Sequence, residues 1–124
     1  GFTAGAGEST LAACVRKVLS YEKKSTDVSA EMTTKSVERI LSEQLSTETV
    51  RFHDCSVKDM FYLIDKGVPV IALKDASSGV LLVGYDAKTV TYIDPANGGT
   101  YTSSIEKMND ILMGSARTFI GYVR

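Results

Sequence analysis

Two thiols, one imidazole and a scatter of hydroxyls bound the chemistry open to this chain. Cys14 and Cys55 are its only cysteines, and His53 is its only histidine. A thiol becomes a nucleophile when an imidazole takes its proton and a third group orients the ring. His53 and Cys55 stand two apart, so in an extended segment they would point to one side and could pair. The plainer reading is a loop histidine facing solvent. Cys14 sits beside Ala13 and Val15 on the apolar side of a helical pattern, which suits a packed thiol. A Cys14–Cys55 disulfide would need an oxidising compartment, and two buried thiols are the simpler expectation. One histidine and two cysteines cannot close a four-ligand zinc site, and no cofactor motif is present. Asn97-Gly98-Gly99 lacks a following lysine and any G-x-G-x-x-G, so it reads as a turn and not as a phosphate cradle. Tyr85, Tyr92 and Tyr101 could line a groove, though tyrosines on half-buried strands more often pack. Lys23-Lys24 reads as a solvated pair at a helix end.

The elements that must position these residues follow from periodicity. Leu11, Val15, Val18 and Leu19 recur at helical spacing, predicting a helix from Ser9 or Thr10 to Tyr21 with Ser9 and Thr10 as cap candidates. Glu22 to Thr33 is polar and aperiodic. Val37, Ile40, Leu41 and Leu45 predict a second helix over about Thr34–Gln44, and Val50 with Phe52 a short extended piece. Ser56 and Asp59 form a capping-box-like start to a third helix, which Lys66-Gly67 closes before Pro69. Three strands follow, at Val70–Leu73, Val80–Tyr85 and Thr89–Ile93, joined by short polar turns that require antiparallel pairing. Asn97–Thr100 is predicted as a turn. Ser103 with Glu106 reads as the capping box of a fourth helix striped by Ile105, Met108, Ile111 and Leu112, and Thr118–Val123 as a closing strand. Helices first and antiparallel strands afterwards predict an α+β fold.

The chain has 124 residues, enough for one core, and reads as a single domain over 1–124 with residues 1–8 as a flexible lead-in. The small-residue start at Gly1 reads as a fragment boundary. A formal net charge of -1 gives no basic footprint for nucleic acid. Every apolar run is too short to span a bilayer.

Several stretches resemble one family. "LIDKGVPVIAL", "GVLLVGYD" and "YIDPANGG" are similar to the second half of bacterial papain-like cysteine peptidases, of the bacteriocin-processing, double-glycine type. That family shows a Gly-x-Pro-Val-Ile strand, then a histidine six residues before the glycine of Gly-Tyr-Asp, then Asp-Pro and a glycine turn. "STLAACVRKVLSYEKK" resembles the family's nucleophile helix, which ends in Val-Leu-x-Tyr. The resemblance runs from Ser9 onward and implies a papain-like fold, with N-terminal helices packed on a C-terminal antiparallel sheet.

Carried over by position, the resemblance puts Thr10 at the nucleophile, Ser78 at the histidine, Asp94 at the orienting group and Ala4 at the oxyanion glutamine. Only Asp94 matches the family's residue type, and beside Pro95 it also reads as a turn residue capping its own loop. No neighbouring base could take the Thr10 proton, and Ser78 is neither acid nor base near neutral pH. Cys14 lies one turn beyond Thr10, about 6 Å along the axis, and is displaced from the family's attacking position. The resemblance therefore implies a catalytically inactive domain that docks a peptide or protein partner in a bacterial export or cell-surface system, as part of a larger chain or complex. Extracytoplasmic placement is preferred over the cytoplasmic face of an exporter. Two alternatives stand beside it: an enzyme with a relocated nucleophile at Thr10, Cys14 or Cys55, and a structural module of a surface protein. The geometric expectation common to all is that Thr10, Ser78 and Asp94 meet at one crevice between the first helix and the sheet.

Overall fold

Helix α1 (Thr10–Tyr21) is the piece around which the other elements pack. The Ser9 hydroxyl caps it by accepting the Ala12 N–H at 3.1 Å. Leu11 through Val15, with Val18 and Leu19, are buried completely. Each buried leucine or valine contributes about 1.5–3 kcal/mol, so the helix is held by its packing more than by its own propensity. It ends in a paired closure: Lys24 N–H returns to the Leu19 carbonyl and Lys23 N–H to Ser20, with Lys23 in the left-handed region at φ 60°.

The computed structural model describes residues 3–25, 28 and 32–124. After α1 come α2 (Thr34–Leu45), β1 (Thr49–Phe52), and a 3-10 turn (Val57–Met60) that runs straight into α3 (Phe61–Asp65). Then follow β2 (Val70–Leu73), β3 (Gly79–Tyr85), β4 (Thr89–Asp94), β5 (Gly99–Ser104), α4 (Ile105–Ile111) and β6 (Phe119–Tyr122). The strands form one antiparallel sheet in the order β1-β6-β2-β3-β4-β5. The last strand is thus inserted between the first two, and a chain-end segment locks β1 to the β2–β5 meander. The fold is α+β, as the order of elements predicted. Among the described residues no helix is long and apolar enough to cross a membrane. Met32, inside the stretch read as polar and aperiodic, is buried and joins the core.

Three local expectations are corrected. The predicted turn at Asn97–Thr100 ends early: Gly99 and Thr100 already belong to β5, paired to β4 through Asp94–Gly99 and Ile93–Thr100. This edge strand, Gly-Thr-Tyr-Thr-Ser-Ser, has no apolar alternation because most of it faces solvent. The cap of α4 is Ser104, whose hydroxyl accepts the Lys107 N–H at 3.1 Å, and not Ser103, whose hydroxyl donates to the Ser104 carbonyl. The Ser56–Asp59 capping box is present, but the turn it opens is 3-10 and only then α-helical. The Ser104 assignment carries a prediction. Ser104→Ala should lower stability by about 1 kcal/mol in urea unfolding, and Ser103→Ala by less than about 0.5 kcal/mol; the reverse ranking would restore the cap to Ser103.

Candidate functional site

With Ser9 occupied as the cap, the Thr10 hydroxyl is released for a tertiary bond. Its Oγ1 accepts the Gly79 N–H at 3.1 Å, and the next amide of the helix, Leu11 N–H, donates to the Ser77 carbonyl at 3.1 Å. The N-terminus of α1 therefore docks on the β2–β3 turn, two of its features satisfied by one loop. That turn is self-bonded: Lys74 N–H donates to the Ser78 carbonyl at 2.8 Å and Ser77 N–H to Asp75 Oδ1 at 3.0 Å. The Ser77 amide, with the Ser78 hydroxyl, holds the Asp75 carboxyl below its usual range. Glycine at 79 is a requirement of the packing. A Cβ there would stand 3.1 Å from the Ala72 carbonyl oxygen and 3.8 Å from Cys14 Sγ.

Asp94 ends β4, the strand paired with β3 through Leu81–Ile93. Its carboxylate accepts the Ala96 N–H at 3.0 Å and its carbonyl accepts the Gly98 N–H at 2.8 Å, so it caps the Pro95 turn. Ala4 reaches the same turn, its N–H donating to the Pro95 carbonyl at 2.7 Å. Residues 1 and 2 of the expected lead-in lie outside the described residues. Residues 3–8 are clasped by a two-pronged ion pair: Arg16 Nε and Nη2 donate to Glu8 at 3.1 and 3.0 Å, and Nη2 reaches the Thr3 carbonyl at 3.2 Å. The bond from Arg16 is the main reason the Glu8 carboxyl lies below its ordinary value.

Ala4, Thr10, Ser78 and Asp94 thus gather at one end of the sheet, around the N-terminus of α1. Beside them lies a shallow cleft of about 40 Å³ that includes Lys74, Val80, Tyr92 and Asp94. None of the side chains of Ala4, Thr10, Ser78 and Asp94 is an imidazole, and the one carboxylate among them, Asp94, accepts the Ala96 N–H. Cys14 is fully enclosed, and burial pushes its thiol well above the ordinary range, with the Asp94 charge adding to the effect. A thiolate, the reactive form, is disfavoured there.

The imidazole is elsewhere. His53 follows β1, at the sheet edge opposite β5, with β6 and β2 between β1 and the β3 strand that Thr10 touches. Strand spacing makes that a separation of about 14 Å. His53 Nδ1 lies 3.1 Å from Thr118 Oγ1, whose own proton goes to the Ser115 carbonyl, so Nδ1 is the donor. The expected extended stretch from His53 to Cys55 is broken at Asp54, which adopts φ 53°. Cys55 is only partly exposed and its Sγ donates to the His53 carbonyl at 3.3 Å, so thiol and ring do not pair. Both cysteines are unbridged. The tyrosines form two separate pairings and no single groove: Tyr85 stacks on Phe61 and donates to Asp65, whereas Tyr92 stacks on Tyr101.

No family model matches the sequence, and no curated protein matches it. Among solved structures, a chain from Bacillus anthracis described as a C39-like peptidase superimposes with a TM-score of 0.59 at 16% sequence identity. The match covers 75% of this chain and 60% of that one, so this chain spans less than two thirds of its neighbour's length. An identity this low speaks for the backbone alone. In that sense the chain has a C39-like peptidase fold.

Proposed function

We propose that this domain keeps a peptidase-like scaffold without peptidase chemistry and docks a polypeptide in a bacterial export or cell-surface system. The observation that carries the first half is the separation of the chain's one imidazole, bound to Thr118, from the Thr10–Gly79 junction. Hydrolysis by a thiol or hydroxyl needs a base within hydrogen-bond reach of the nucleophile, directly or through one water. The nucleophile position carries a threonine whose hydroxyl oxygen accepts an amide hydrogen bond, and the nearest thiol is enclosed, where burial disfavours its thiolate. The docking half rests on the likeness to peptidases, whose clefts receive extended chains, and on β5 as an open edge free of lysine and proline. A second reading, a structural module with no ligand, is favoured by the Thr10, Ser78 and Asp94 side chains all being engaged within the domain.

One titration separates these readings. A capped peptide carrying a Gly-Gly pair is added to isotope-labelled protein while amide shifts are followed and the peptide is weighed by mass spectrometry. Docking predicts saturable shifts at Thr10, Ser78 and Asp94 with the peptide intact. Silence at all three and along β5 supports the structural module, and cleavage supports an enzyme.

A further inference from the structure

The turn Asn97-Gly98-Gly99, between β4 and β5, carries a bond that can break without any partner. An asparagine side chain is open to attack by the main-chain nitrogen of the next residue, which closes a cyclic imide and expels ammonia. Glycine at that next position offers no side chain to hinder the approach. Asn97 is exposed and Gly98 follows it. The chain's other asparagine, Asn109, is half-buried and precedes Asp110, with its amide held between Val57 N–H at 2.8 Å and Ser56 Oγ at 3.1 Å.

The fold adds to Asn97 the groups that this reaction needs. Gly99 N–H donates to Asn97 Oδ1 at 2.7 Å, where negative charge gathers as the ring closes. At the other end of the amide, Nδ2 donates to the Tyr101 hydroxyl at 2.7 Å. A phenolic hydroxyl both accepts and donates. Once the attack has turned Nδ2 into an amine, its lone pair can take the proton of that same hydroxyl. Glycine at 99 lets the ring come this close: a Cβ there would stand 2.8 Å from Tyr101 Oη and 2.9 Å from its ring carbons. Stacking on Tyr92 holds the ring in place. One contact opposes the attack, since Gly98 N–H is donated to the Asp94 carbonyl at 2.8 Å and must be released first. Giving up one such bond slows a step about tenfold at most. A positioned proton donor speeds one by about 10²–10⁴-fold, and so outweighs it.

We propose that Asn97 deamidates itself in the folded protein, with Tyr101 as the catalytic acid. Hydroxide takes the Gly98 amide proton and the Gly98 nitrogen bonds to Asn97 Cγ. The Cγ–Nδ2 bond then breaks as Tyr101 gives its proton to the departing nitrogen. Ammonia leaves, and water reprotonates the phenolate and returns the hydroxide. A second water opens the imide, giving aspartate when it attacks Cγ and isoaspartate when it attacks the main-chain carbonyl. Either product adds a carboxylate to the turn that Asp94 caps and Ala4 joins. Isoaspartate also lengthens the backbone just ahead of β5. The step is independent of docking, because it needs no peptide.

The test incubates the folded 124-residue protein at mildly alkaline pH, follows ammonia release, and maps the altered residue by digestion and mass spectrometry. Aspartate and isoaspartate should accumulate at 97 while Asn109 stays intact. Tyr101→Phe keeps a ring to stack on Tyr92 and should slow the reaction at least about tenfold, the smaller end of the acid's effect after allowing for one lost bond. Gly99→Ala, whose methyl displaces the Tyr101 hydroxyl, should slow it likewise. In urea all three proteins should react at one rate, and circular dichroism establishes which are folded without it. A folded Tyr101→Phe protein that reacts as fast as wild type would overturn the proposal. So would a difference between the two that persists in urea, or a folded wild type that keeps Asn97 while its unfolded chain converts.

Discussion

Thr10→Cys combined with Ser78→His is expected to react with iodoacetamide at pH 6 about tenfold faster than an unperturbed cysteine thiol, and faster than Thr10→Cys alone. The measurement is made in a Cys55→Ala background, so that enclosed Cys14 is the only other thiol. Position 10 is the first residue of α1, and the Gly79 amide already donates to its side chain at 3.1 Å. A sulfur there would gain from the helix N-terminus and from that amide, both of which favour the thiolate. An imidazole at 78, one residue from the donating amide, adds the charge that makes a thiolate–imidazolium pair. An ordinary thiol near pKa 8.5 is about 0.3% ionised at pH 6, whereas one lowered to about 6 is half ionised. The hundredfold gain in thiolate is cut to about tenfold by the lower nucleophilicity of a less basic sulfur. Ser78→His also removes the hydroxyl bonded to Asp75, so circular dichroism must show the fold retained. A double variant no faster than the single would mean that positions 10 and 78 do not face one another, and the carry-over of catalytic positions would collapse. Peptide cleavage is not expected, because Ala4 has no side-chain donor for an oxyanion.

What the sequence revealed and what it hid have separate physical causes. Leu11, Val15, Val18 and Leu19 announce α1 because a helix that buries one side must repeat its apolar residues at that interval. The runs at Val70–Leu73 and Gly79–Leu82 are legible because both of their faces are covered. β5 was not legible: an exposed edge strand of threonine, tyrosine and serine has no buried face to write a pattern with. The bulge that leaves Val83 of β3 unpaired with β4 was hidden for the opposite reason, since a valine continues the apolar run whether or not it pairs. At the candidate site, offsets within the family-like stretches singled out Thr10, Ser78 and Asp94, but not the bonds that hold them. The Thr10–Gly79, Ala4–Pro95 and Glu8–Arg16 contacts join residues through the tertiary fold, and no local spacing encodes them. His53 and Cys55 show how a local rule fails. Alternation holds only while the backbone stays extended, and one left-handed residue, Asp54, cancels it.

Phe119→Ala should remove about 3–5 kcal/mol of stability, out of a total that for domains of this kind is about 5–15 kcal/mol. Phe119 is fully buried in β6, opposite Phe52 of β1 on one side and Ala72 of β2 on the other. Nothing local can stand in for it, because β6 pairs with segments far back in the chain and is the sole strand that ties β1 to the meander. With m near 2 kcal/mol/M the urea midpoint should fall by about 2 M at unchanged m. Thr102→Ala on the exposed edge should stay within about 0.5 kcal/mol. The effect should reach the Thr10 junction. β2 is fixed by β6, and the Ala72 carbonyl of β2 sits where a Cβ at Gly79 would clash, so the position of β2 sets how closely β3 can approach the start of α1. Amide exchange at Gly79 should therefore quicken in Phe119→Ala along with that of β2. A variant that lost stability while Gly79 kept its wild-type protection relative to β4 would separate the sheet's keystone from the candidate site.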